Sequence, residues 1–422
     1  MKHFFLLLAF LACTGYAQTP DARPTLDSAI EKQTAAFAEE LIEIRRDFHR
    51  FPEIAGEEKR TAKIIAEYLI NNGLEVHQNI GGYGVVGILN TGKPGKKIAW
   101  RADIDALPTE LEDDPVEFKS QHPGVRHICG HDVHTTIAMG IAKNVAALKD
   151  QLSGTYYFVF QPAEENITGA KAMLEDGLLE LIQPDEFYAL HLTPFPTGVI
   201  ATKPNELYAH YKKVVVTLNT TNPEGIEKAK EIIDSFDNVS SDQFGSPASF
   251  ESERIGIFGY ESIYSDYIFR ESDFYVNESK DKATITSYFS FSHAKRLEQF
   301  KRELNERLQK NDLNTYTPSL EIIDQSYVLK NDPNVTKAAI SYLGKDPQNF
   351  IELTGVFPGG RSDDFALFLD KVPGTYFFVG ASDYEKGIIS MPHDPNFQVD
   401  ESVIGKATNV FTRFMAHRAG EE

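Results

Sequence analysis

Four short apolar runs mark the first half of the chain: GVVGIL (84–89), KIAWRAD (97–103), TYYFVF (155–160) and EFYALHL (186–192). Patterns at helical spacing surround them: FAEELIEIRRDFHR within 26–49, KRTAKIIAEYLINN stopping at Gly73, then 135–149 and 168–182. Strands that alternate with helices imply an α/β layer structure with a buried sheet.

Near residue 205 the texture changes. YKKVVVTLNTTN reads as a strand and PEGIEKAKEIIDSF as a helix; strand-like runs follow at 252–259 and 283–290, then the helix HAKRLEQFKRELNERLQK. This order predicts a small α+β unit with one helical layer. Afterwards the first texture resumes, with helices at 333–343 and 362–370, the strand TYFFVG (375–380) and a last helix from Glu401 to about His417. A chain of 422 residues is also too long for one ordinary core. The expected organisation is therefore a discontinuous α/β domain over 26–204 and 326–422, with a smaller α+β domain, 205–325, inserted into it.

The segment MKHFFLLLAFLACTGYAQTPD has a basic start at Lys2, an apolar run from Phe4 to Ala12, and small residues at Gly15 and Ala17. It reads as a signal peptide, residues 1–17, cut after Ala17, which implies export to the periplasm or beyond. Lipidation at Cys13 is the less favoured alternative. No later apolar stretch is long enough to span a bilayer. A formal charge of −20 argues against nucleic acid or an anionic membrane surface as partner. With the leader removed, Cys129 is the one remaining cysteine, unable to form an internal disulfide. Burial or metal coordination would protect it from oxidation.

Polar clusters fall where the strands end. RADIDALP (101–108), QPAEEN (161–166) and HLTPFP (191–196) each close one, and MPHDP (391–395) follows the strand ending at Gly380. Open α/β sheets place ligands at the carboxyl ends of their strands, so a site assembled from several loops is expected there. HICGHDVHTT (127–136) adds a cysteine and three histidines. Cys129 and His131 flank a glycine; in an extended segment their side chains point the same way, and thiolate with imidazole suits zinc or a neighbouring divalent metal. Taken singly, each cluster has a plainer reading: a buried thiol, capping histidines, surface acids.

Together, RRDFHRFPEIAGEE, RADIDALP, HICGHDVHT, FQPAEE followed by Gly169-Ala170, HLTP, GGRSDDFALFL and MPHDPNF occur in the order used by the two-metal aminoacylase/carboxypeptidase family. The sequence most resembles its amidohydrolase branch, which includes hippurate hydrolase and the indole-acetyl-amino-acid hydrolases, over about residues 30–200 and 330–420. The resemblance implies a two-metal catalytic domain with an inserted lid or dimerisation domain. It assigns metal ligands to Cys129, His131, Glu165, His191 and His393, makes Glu164 the general base, and gives Asp103 the support of the metal centre from behind. It further implies two divalent ions, zinc or manganese, metal-dependent hydrolysis of N-acyl amino acids or small peptides, and a homodimer through the lid.

Two departures accompany the resemblance. The family's Ser-Glu-Asp-Phe motif stands here as Ser362-Asp363-Asp364-Phe365. The first lid strand lacks the family's Gly-Gly-His-Gly-Ala segment, whose histidine helps hold the oxyanion. Either His210 or His293 substitutes, or the substrates differ, or turnover is slow. A binding protein that keeps the metals and has lost catalysis is the rival reading. His127 and His134 read as loop or core histidines, His49 as a helix terminator, Asp105 as a hydrogen-bonding residue of its own loop, and Arg101 as either facing the site or salt-bridged.

Overall fold

The computed structural model describes residues 25–110, 114–239, 244, 247–250, 252–310 and 312–421. The signal peptide read in residues 1–17, Cys13 included, lies outside them.

Eight strands form one mixed sheet in the order Glu75–Ile80, Gly84–Asn90, Thr155–Gln161, Lys97–Asp103, Glu186–Pro196, Gly374–Ser382, Ile200–Thr202, Phe350–Glu352. The middle four run parallel, so their carboxyl ends lie on one side. Side chains alternate across it. Trp100, Tyr156, Phe158 and Phe160 join a core with the helices Leu26–Arg50, His131–Ala147 and Ser402–Gly420. Ala99, Tyr157, Val159 and Phe187 join a second core on the opposite face, with Met173 and Phe368. Both faces are covered, which explains the near-continuous apolar character of these strands.

The helix His131–Ala147 packs unusually close to its neighbours at Gly140. A β-carbon there would stand 2.7 Å from Leu41 Cδ1 and 2.7 Å from Thr408 Oγ1. Gly140→Ala is therefore expected to lower the unfolding midpoint: overpacking of about 1–3 kcal/mol outweighs the ~1 kcal/mol gain in helix propensity. A raised midpoint would show that the two flanking helices yield freely.

Residues 210–324 build a separate antiparallel sheet. Ile268–Arg270, Lys282–Phe291, His210–Leu218 and Ser319–Asp324 lie in that order, and Tyr275–Ser279 also pairs with Lys282–Phe291. Alternate residues of His210–Leu218 are buried. They meet the helices Pro223–Asp234 and Ala294–Leu308 in a third core containing Val214, Val216, Phe289 and Phe300. The chain enters and leaves this region side by side, because Asn205–Glu206 pairs with Lys330–Asn331.

Three local expectations are corrected. The strand expected at 252–259 is a series of turns, since Gly256 and Gly259 bring the backbone where a β-carbon would strike other main-chain atoms. The helix expected at 168–182 is two, Gly169–Glu175 and Leu178–Ile182, broken at Gly177 with φ 88°. The helix expected at 362–370 shrinks to Ala366–Leu369, because the Asp363 carboxylate accepts the Phe365 N–H at 2.8 Å and holds a turn instead. Among the described residues no helix is long and apolar enough to cross a membrane.

Candidate metal centre and its cavity

The parallel strands deliver their polar ends to one edge. Asp103 and Gln161 are the last residues of their strands, His191 lies within Glu186–Pro196, and the loop after Gly374–Ser382 carries His393. Cys129 and His131 converge differently from the extended segment expected. Gly130, at φ 92°, turns the chain in the left-handed region and caps the helix that His131 opens. The turn needs glycine, and it replaces pleat alternation as the cause of the convergence.

Cys129 Sγ lies 3.3 Å from His191 Nε2 and 3.2 Å from His393 Nε2. Glu165 spans the same space, with Oε2 3.5 Å from His393 Nε2 and Oε1 3.7 Å from His131 Nε2. Two groups result, Cys129/His131/His191 and Cys129/Glu165/His393, each with donor atoms within 4.8 Å of one another and sharing the sulfur. Glu164 stands beside them, its Oε2 3.9 Å from His131 Nε2.

The hydrogen bonds around these rings leave the inward nitrogens open. His131 Nδ1 donates to the Asp105 carbonyl at 2.9 Å, and His191 Nδ1 to that of Leu192 at 2.7 Å. Each Nε2 then carries a lone pair toward the cluster. His131 Nε2 and Glu165 Oε1 are buried with no hydrogen-bond partner, a cost that a cation would remove. Burial and the neighbouring His134 push His191 down to about 4, so it is neutral near pH 7 and able to ligate. Burial opposes a charge on His131, yet Asp103 and Cys129 raise it well above the ordinary range. The same anionic field attracts a metal ion, which would displace that proton. The donor set fits divalent metal.

Behind the cluster lies a buried polar layer that the sequence only partly disclosed. Asp103 Oδ1 accepts from His134 Nδ1 at 2.7 Å, while Oδ2 lies 2.6 Å from Arg101 Nη1 and 3.8 Å from His131 Nε2. Although burial works against its charge, His131 and Arg101 hold Asp103 well below the usual carboxylate range. Arg101 is wholly buried and salt-bridged, also meeting Asp363 at 3.1 Å and Asp364 at 3.3 Å. His134 is a core histidine whose Nε2 accepts the Leu192 N–H at 2.9 Å. His127 is buried with no hydrogen-bond partner at either ring nitrogen among the described residues, and burial pushes it down to about 3. His49 bridges Asp132 and Asp114, away from the cluster.

Two residues were missed. Asp105 reaches beyond its own loop: Oδ1 lies 3.2 Å from His131 Nδ1, and Oδ2 accepts the Glu165 N–H at 2.9 Å, tying two clustered residues together. Glu58 is fully buried and accepts the Ala163 N–H at 2.8 Å, fixing the turn just before Glu164; burial pushes it up to about 7. Ala163 adopts φ 54°, a strained conformation that such bonds sustain. An acid in FPEIAGEE offered no sequence signal for this role.

The cluster opens on a cavity of about 1130 Å³. Tyr208, Phe269, Glu271 and Asp324 line it from the side of the inserted segment, Phe357, Arg361 and Phe378 from the returning chain. Neither His210 nor His293 lines it: both face Glu206, His210 Nε2 at 3.8 Å and His293 Nδ1 at 3.4 Å. Of the three alternatives for the missing family histidine, substitution by His210 or His293 therefore gains no support from the cavity lining. Glu206 draws them to the crossing point of the two segments instead.

With this geometry in place, relatives are informative. The sequence model of the peptidase family M20/M25/M40 matches residues 99–417. Thermostable carboxypeptidase 1 of Saccharolobus solfataricus is 31% identical over 86% of this chain and 91% of its own length. N-acetyldiaminopimelate deacetylase of Lactobacillus helveticus is 30% identical over 90% and 98%. The crystal structure of YXEP from Bacillus subtilis, described as a dinuclear metal binding peptidase from the M20 family, superposes with a TM-score of 0.70 at 25% identity, covering 91% of this chain and 98% of that one. A cluster of sulfur, imidazole and carboxylate at the strand ends, and similarity along nearly the whole chain, lead to one conclusion: the protein is a member of the peptidase family M20/M25/M40.

Proposed function

We propose that this chain hydrolyses the amide bond of N-acyl amino acids or small peptides, with Cys129, His131, Glu165, His191 and His393 holding two divalent ions. That it is a metal-dependent hydrolase follows from its family; the substrate class is the finer step. Zinc or manganese suits the ligand set, and two such ions supply Lewis acidity for an amide carbonyl and lower the pKa of water.

The observation that carries the reading is the different reach of two adjacent acids that both line the cavity. Glu165 spans two ligand nitrogens, with Oε1 toward His131 Nε2 and Oε2 toward His393 Nε2. Glu164 has only Oε2 near one, 3.9 Å from His131 Nε2, and is not within reach of Cys129 or His393 in either sulfur-sharing group. Burial, reinforced by Asp363, makes Glu164 more basic than an ordinary glutamate. It takes the proton of the attacking water and returns it to the departing amine nitrogen. Asp105 orients His131, and Asp103 with Arg101 braces the layer beneath.

The test is reconstitution with Zn or Mn followed by dialysis, elemental analysis and a panel of N-acyl amino acids and dipeptides. Two ions per chain and turnover that a chelator abolishes are expected. Cys129→Ser should retain less than half the metal, because both groups share the sulfur. Tight binding without turnover across the panel would favour the binding-protein alternative, which the missing lid histidine motivates. Export belongs to the same proposal: the secreted protein should begin at Gln18, and a lipidated Cys13 terminus would replace it with an anchored form.

A further inference from the structure

Arg361 is an exposed arginine on the cavity wall that forms no ion pair among the described residues. Its one side-chain hydrogen bond among the described residues runs from Nη1 to the Pro358 carbonyl at 2.6 Å, and among those residues no carboxylate comes within 4.0 Å of the guanidinium. By contrast Arg45, Arg101, Arg126 and Arg418 all meet acids. In a chain of net charge −20, an unpaired guanidinium facing a cavity is costly to neglect and useful to an anion. Glu271, also on this wall, competes poorly: it accepts Ser290 Oγ–H at 2.5 Å, and burial raises it against the pull of Arg361.

Aromatic rings line the same cavity as Arg361 and the metal centre. Phe378 is the register partner of His191 on the adjacent strand. Its ring lies 4.9 Å from that of Phe357, and Tyr208 lies 6.1 Å from Phe357 and 6.0 Å from Phe378. Only Pro358, Gly359 and Gly360 separate Phe357 from Arg361. A ligand with its amide at the cluster therefore meets both an apolar surface and a cation in the same cavity.

Resting on the amidohydrolase reading, we infer that Arg361 binds the free carboxylate of the substrate's amino-acid half, and that Tyr208, Phe357 and Phe378 select a bulky apolar side chain on that half. Arg361 is a specificity-determining residue in a position set by the loop after Phe357. The cavity, somewhat larger than typical small-molecule sites, has room for such a group.

The experiment uses metal-loaded protein with N-benzoylphenylalanine, its carboxamide, and N-benzoylglycine. Wild type should prefer the acid to the carboxamide by about 10–100-fold in kcat/KM, the range of a charged hydrogen bond. It should prefer the phenylalanine to the glycine substrate by ~10-fold or more. In Arg361→Gln, which keeps a donor for Pro358, the acid preference should fall to within about threefold of unity, mainly through KM. Preference retained in Arg361→Gln would overturn the assignment, and indifference to the phenylalanine side chain would overturn the role of the wall. Equilibrium dialysis of the same acid and carboxamide against Glu164→Gln and Glu164→Gln/Arg361→Gln gives an answer that does not require turnover. Loss of acid-selective binding in the double variant supports Arg361 even if wild type hydrolyses nothing, an outcome that would count against the proposed reaction alone.

Discussion

Glu164→Gln should lower kcat by about 10²–10⁴-fold while leaving both metal ions bound. The range is that of a positioned general acid–base group. Glutamine preserves volume and shape at this buried position, so packing stays close to native, but its amide cannot accept the water's proton. KM should change by only a few fold, since the group acts on a proton in transit. Elemental analysis separates this from a ligand defect. Glu165→Gln, one residue along, should lose metal together with activity, because its oxygens face His131 and His393. A Glu164→Gln enzyme that holds two ions and keeps more than a tenth of its turnover would remove Glu164 from the mechanism.

Arg101→Met should cost about 3–5 kcal/mol of stability, the loss expected when one partner of a buried ion network is removed. Methionine fills much of the volume, so the deficit is electrostatic. Asp103, Asp363 and Asp364 would be left together without their shared cation. Burial already pushes Asp364 up to about 7 even with Arg101 present, so one acid can escape by taking a proton. Asp103 has less freedom, held between His134 and the metal centre. Denaturant unfolding should show the lowered midpoint, and metal affinity should weaken with it as His134 and His131 lose a fixed neighbour. A change under ~1 kcal/mol would mean that protonation relieves the whole cluster.

Much of the site was legible because ligation requires particular side chains in short motifs. Cys129, His131, Glu165, His191 and His393 each sit in a recognisable string, and the structure brings them into contact. Their support was less legible. Asp105 looked like a loop residue because its partner lies 26 positions away and is fixed only when the helix at His131 docks. Glu58 acts on Ala163 across 105 positions. Arg101 could be read two ways until Asp363 and Asp364 arrived from the other end of the chain. For the fold, strand–helix alternation carried the main sheet, whereas 252–259 failed because local hydropathy resembled a strand while Gly256 and Gly259 permitted tight turns.

The pairing of Asn205–Glu206 with Lys330–Asn331 makes the excursion between them topologically one closed loop, packed back on the catalytic part through Ile257, Tyr264 and Tyr267. All five proposed ligands and the proposed base lie outside 205–325, so evolution can rewrite that excursion without redrawing the reaction centre. Altered walls from the insert, such as Phe269 and Glu271, then change what enters while the bond-breaking apparatus is inherited intact. Such an arrangement lets one ancestral hydrolase diversify its diet through an appendage, provided that Ile257, Tyr264 and Tyr267 keep their packing against the segment around Val356.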